Sequence, residues 1–206
     1  MTETEWLSAT DPTPFLEFLR CNASDRKLRL LACAFCRRRW VLLPIGVKEA
    51  VQTIERFVDG QVTNAEFSAQ VFRQAWYARR LLPWRGLGYT HGSTEYGSHV
   101  EAIEEVAKAF IDEPQEGWHK NVQTALLRDI FGNPFRPVVI NPSWLTSTVQ
   151  ALASGIYSDR AFDRMPIFAD ALQDAGCDND DVLNHCRQAG DHCRGCWVVD
   201  LLLAKG

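Results

Sequence analysis

At 206 residues, 46% hydrophobic and 23% charged, the chain has an ordinary globular composition and can bury a sizeable core without covalent staples. No window approaches the roughly 18 to 20 uninterrupted apolar residues of a membrane span. The opening MTETEWLSATDP is acidic and polar where a signal peptide would be basic and then apolar, so the chain reads as cytoplasmic with no membrane partner. A net charge of −4 argues against a surface built as a whole for nucleic acid, while leaving room for a local basic patch.

In chain order, a short helix is predicted around Pro14 to Arg20, with Pro14 early in the turn where its missing N–H does no harm. Ser24 caps a longer helix from Asp25 to about Leu42, and Pro44 stops it. Val47, Val51, Ile54 and Val58 recur at helical spacing before Asp59 and Gly60. Thr63 and Glu66 form a capping box for a helix running to about Leu82. Residues 84–97, WRGLGYTHGSTEYG, lack periodicity and read as a flexible internal loop. Helices follow from Ser98 to Phe110 and from Trp118 to Phe131, then an extended strap from Phe135 to Ile140 around Pro137. Asn141 and Pro142 open a helix to about Tyr157, and Asp163 and Pro166 open another that Gly176 closes. Asp180 to Arg187 is a short helix, and Trp197 to Leu203 closes the chain as a helix, although WVVDLLL could also be a buried strand. About eight or nine helical segments with short connections predict an all-α, multi-helix globular bundle, one domain over residues 1–206.

Seven cysteines are placed unevenly, with Cys21, Cys33 and Cys36 early and Cys177, Cys186, Cys193 and Cys196 late. Cys33-x-x-Cys36 and Cys193-x-x-Cys196 each have the spacing that lets two thiolates reach one tetrahedral Zn²⁺. A site of four cysteines and a mixed site of Cys33, Cys36, His192 and Cys196 both satisfy that chemistry, with His185 and Cys186 as alternates. Either would tie an early helix to the tail if the two chain ends meet. The competing reading is packing: Cys33 and Cys36 lie one turn apart on a helix and behave as small hydrophobes. A third reading is a reactive thiol, its pKa lowered by Arg37, Arg38, His185 or His192, but no cysteine-hydrolase signature accompanies it.

Arg26, Lys27, Arg29, Arg37, Arg38 and Arg39 load one helix with positive charge, and Trp40 beside them could stack on a base. The same arginines could instead solvate the outer face of the helix or pair with carboxylates. Asp200, inside the closing apolar run, has to face water or find a partner such as Arg37.

The opening TETEWLSATDPTPFLEFLR with SDRKLRLLACAFCRRRW, together with LLRDIFGNPFRPV, IYSDRAFDRMPIFADALQDAGC and the closing HCR and HCRGCWVVDLLL, resembles an uncharacterised planctomycete-type bacterial protein family. The likeness covers both ends strongly and about Val47 to Trp118 poorly. It implies a bacterial, cytoplasmic setting and brings no activity, fold or ligand with it. The family's tail pattern is matched by His185, Cys186 and Arg187 and by His192, Arg194, Gly195, Cys196 and Trp197, with Cys193 at an unspecified position. That shifts the zinc reading toward His192 and Cys196. The expectation is therefore a binding or scaffold module with another protein as partner and a structural Zn²⁺. Its alternatives are nucleic-acid binding through Arg26 to Trp40 and a thiol- or metal-dependent enzyme.

Overall fold

A computed structural model describes residues 1–19, 22–43, 45–69 and 120–205. Cys21, most of the helix expected after Thr63, the 84–97 loop and the Ser98 to Phe110 helix lie outside the described residues. Among the described residues every regular element is a helix, no strand occurs, and no helix is long and apolar enough to cross a membrane. The chain divides into two compact units, one of residues 1–23 with 116–206 and one of 24–115.

In the first unit, α1 (Glu3–Ser8) begins at Thr2, whose side chain and that of Glu5 cap each other's backbone amides. Six residues are too few for a periodicity signal, so this helix went unpredicted. α2 (Thr13–Leu19) buries Phe15 against Trp6, ring centroids 4.6 Å apart. α5 (Lys120–Phe131) presents Gln123, Leu126, Leu127 and Ile130 inward at helical spacing. Trp6 Nε1 donates to Gly132 O at 2.8 Å, and the Arg128 guanidinium donates to the carbonyls of Trp6 and Ala9. These bonds fix the end of α5 against the first two helices.

After the extended strap, Pro142–Trp144 form a 3₁₀ turn capped by Asn141, and Thr146 then caps α6 (Ser147–Asp159), so the one helix expected here is two elements. A second 3₁₀ turn (Phe162–Arg164) leads into α7 (Met165–Asp174), which has Pro166 in its first turn. Asn179 caps α8 (Asp180–Arg187) by accepting from Val182 N. α9 (Trp197–Leu202) is helical and not a strand. Val149, Ile156, Phe168, Leu172, Val198 and Val199 meet in the core of these four helices. Burying each such side chain contributes roughly 1.5 to 3 kcal/mol before conformational entropy is subtracted.

The second unit is built on α3 (Asp25–Arg38), capped by Ser24, and α4 (Ile45–Val58). A 3₁₀ turn (Trp40–Leu42) replaces the last turn expected of α3. Arg37 makes a two-pronged bond to Glu55 at 3.1 and 2.7 Å and lies over the Trp40 ring at 3.8 Å. Arg26 pairs with Asp59 at 3.8 Å, and Arg29 lies over the stacked Phe57 and Phe67 rings. The capping box at Thr63 and Glu66 is formed as the sequence predicts.

Candidate metal centre

Four side chains of the first unit converge on one point. Asp129 comes from the last turn of α5, His185 from the last turn of α8, His192 from the segment after it, and Cys196 from the residue that opens α9. Their candidate ligand atoms all lie within 4.8 Å of one another. His185 Nε2 is 3.2 Å from Cys196 Sγ and 3.2 Å from Asp129 Oδ1. His192 Nδ1 is 2.7 Å from Asp129 Oδ1 and 4.0 Å from Cys196 Sγ. The side chains of Asp129, His185 and His192 are no more than 8% exposed, and Cys196 is fully buried.

Local backbone chemistry explains how the last ligand reaches the cluster. Cys196 N donates to Cys193 O at 2.9 Å, closing a turn whose third residue, Gly195, has φ +99°. That is a left-handed conformation which suits glycine and strains any residue with a Cβ. The turn aims Cys196 Sγ inward and sets the Cys193 amide and thiol on Asp129 Oδ2 at 2.9 and 3.2 Å. Arg194 donates to Tyr157 O and lies over the Tyr157 ring. Trp197 packs on Gly132, where an added Cβ would stand 2.9 Å from the indole. Each residue of His192-x-Arg194-Gly195-Cys196-Trp197 thus has a physical task at the centre or beside it.

The electrostatics follow from burial. Desolvation alone would raise the Asp129 carboxyl, but hydrogen bonds from His185 and His192 and their positive charge outweigh it and hold the group well below the usual carboxylate range. Burial, with Asp129 adding to it, pushes the Cys196 thiol well above its ordinary value. Burial likewise pushes Cys186 up to about 12. Gln188 Nε2 lies 3.2 Å from His185 Nδ1, on the ring edge away from the cluster. An imidazole ligating through Nε2 would carry its proton on Nδ1, and the Gln188 carboxamide would have to turn over so that its oxygen accepts from it.

The four residues form a buried group that could hold a metal ion. Of the ligands expected from the sequence, His192, Cys196 and the alternate His185 are brought together. Cys33 and Cys36 are not in the group. They face Val51 in the α3–α4 core, where Cys33 Sγ sits 3.9 Å from Val51 O and burial pushes the Cys36 thiol up to about 12. They pack there because two thiols one turn apart share the apolar face of α3. Cys186 points into the core of the first unit, and Cys193 serves Asp129. Asp129 itself was missed. The available signal was a lone carboxylate beside the buried stripe of α5, which is expensive unless partnered.

Of the basic helix, Arg26, Arg29 and Arg37 are engaged with groups of their own unit. Lys27, Arg38 and Arg39 also make interactions. The chain matches no protein-family model, no curated protein and no solved structure.

Proposed function

We propose that the protein is a helical binding or scaffold module whose tail is fastened by a structural Zn²⁺ held by Asp129, His185, His192 and Cys196. The observation that carries this reading is the closed four-atom cluster. Zinc bonds of about 2.0 to 2.3 Å in a tetrahedron require ligand separations of about 3.3 to 3.6 Å. Four of the six separations are 2.7, 3.2, 3.2 and 4.0 Å, on either side of that range, and all six lie within 4.8 Å. One carboxylate and one thiolate neutralise a divalent cation, which lowers the cost of burying the charge. Two imidazoles and a single thiolate form a borderline-soft set that suits zinc. With four side-chain ligands, each little exposed, no coordination site would be left open to water, as is usual of structural rather than catalytic zinc.

A thiol enzyme draws less support. A nucleophile relay uses the two nitrogens of its histidine in turn, one toward the nucleophile and the other toward the orienting carboxylate. Here the same nitrogen, His185 Nε2, faces both Cys196 and Asp129. That arrangement suits a central cation. A partner surface is supported by Val41, Leu42 and Ile45, which are 87, 77 and 72% exposed in the second unit. The nucleic-acid reading is weakened because Arg26, Arg29 and Arg37 serve internal contacts. All four proposed ligands fall in segments that carry the family likeness, RDIFGNP, HCR and HCRGCW, which supports a centre shared by that family.

The test is elemental analysis of protein purified without added metal. Near-stoichiometric zinc is expected, retained in Cys33→Ser and Cys36→Ser and lost in Cys196→Ser and His192→Ala. Metal-free native protein whose melting temperature ignores a chelator would sink the proposal.

A further inference from the structure

Cys193 is the thiol at this centre that the four-ligand reading leaves unused. It sits three residues before Cys196 across the Gly195 turn, whose backbone bond brings the two α-carbons within the roughly 7 Å that defines a β-turn. A disulfide needs α-carbons about 4.4 to 6.8 Å apart. Both thiols border the same carboxylate, Cys193 on Asp129 Oδ2 and Cys196 in the cluster with Oδ1. They differ in access, since Cys193 is partly exposed whereas Cys196 is fully buried.

We infer that Cys193 and Cys196 form a peroxide-responsive pair that releases the metal by closing a disulfide across the turn. The inference rests on the zinc reading. A hydroperoxide reaching Cys193 is reduced at its O–O bond: one oxygen passes to sulfur as sulfenic acid, the other leaves as water (or alcohol), and sulfur loses two electrons. The Cys196 sulfur, a thiolate when it holds the metal, then attacks Cys193 Sγ. The S–S bond forms, the S–O bond breaks, and hydroxide departs to be protonated by solvent. The electron pair that bound the metal now lies in the disulfide, so the ion keeps only Asp129, His185 and His192 and is lost to competing chelators. A thiol reductant reverses the change. For Cys193 to reach Cys196 it must leave Asp129 Oδ2, so oxidation also removes a hydrogen bond that orients the carboxylate.

The experiment treats the native full-length protein with hydrogen peroxide in the presence of a colorimetric zinc chelator, followed by peptide mapping without reduction. Stoichiometric zinc release is expected together with a Cys193–Cys196 linked peptide, both reversed by a dithiol reductant and zinc. Cys193→Ser, whose hydroxyl can still donate to Asp129 Oδ2, should release whatever zinc it holds before treatment at least tenfold more slowly under peroxide, read as the fraction of its own starting content. Retention of zinc with both thiols intact, equal release from Cys193→Ser, or a link from Cys196 to Cys186 would each overturn the inference. Should the native protein carry no metal, the zinc reading fails separately. The peptide map then decides on the disulfide alone, and an unlinked pair refutes it.

Discussion

Asp129 is buried with both oxygens in use, Oδ1 toward His185 and His192 and Oδ2 toward the amide and thiol of Cys193. Replacing it with Asn keeps the shape but removes the charge that two histidines and an ion would balance. Breaking a buried charge pair on one side costs about 3 to 5 kcal/mol. Asp129→Asn should therefore lower the unfolding free energy by that order in urea titration and bring bound zinc well below stoichiometric. An Asn variant with native stability and full metal content would remove Asp129 from the centre. Gly195 acts through the backbone, because at φ +99° a side chain strains the turn that presents Cys196. Gly195→Ala should cost about 1 kcal/mol or more, and its zinc affinity should fall although no ligand has been touched. Competition against a chromophoric chelator reads that fall directly.

Between elements, the junction of α5 with α9 depends on Gly132. Its φ of +62° ends α5, and its missing Cβ admits the Trp197 indole, while its carbonyl accepts from Trp6. Gly132→Ala combines backbone strain with overpacking against a ring held on several sides, so a loss of about 1 to 3 kcal/mol is expected in denaturant unfolding. Trp6→Phe keeps most of the apolar contact and deletes one buried hydrogen bond, an expected loss of about 1 to 2 kcal/mol. Native-like stability in both variants would show that α1 and α9 are not tied through this residue. Most helices here were legible in the sequence because their signals are local. Ser24, Gly176 and the periodic stripe of α4 mark a start, a stop and a face within a few residues. The centre was only half legible. Cys196 announces itself by the Cys193-x-x-Cys196 spacing, and His192, four residues before it, was an alternate that only the family resemblance favoured, whereas Asp129 lies over sixty positions away in sequence and meets them only through packing. Cys33 and Cys36 carried the same spacing signal and turned out to be core, because i to i+3 spacing places two side chains on one helix face whatever that face touches.

At the scale of the whole chain, protons and folding are linked, on the proposed zinc reading metal binding joins them, and pH separates the contributions. Without metal, Asp129 has a folded pKa below its unfolded value, so its stabilisation is present above about pH 4 and is lost as pH falls below that. Cys196 runs the other way. Its folded pKa lies above the ordinary thiol value, so the stability of the metal-free chain is intact below about pH 8.5 and declines as pH rises further and the unfolded thiol ionises. Cys36 and Cys186, both pushed up to about 12, add to that alkaline loss with or without metal. On the proposed zinc reading the metal would replace the Cys196 proton and any proton the two histidines carry, so near neutral pH its affinity should rise at least about tenfold per pH unit. The difference between holo and apo melting temperatures should therefore widen from pH 6 to pH 8, while the apo curve alone stays level or falls at its alkaline end. Paired scans at fixed free zinc measure that difference, and a gap that does not change with pH would mean that no buried thiol gives up a proton to the metal.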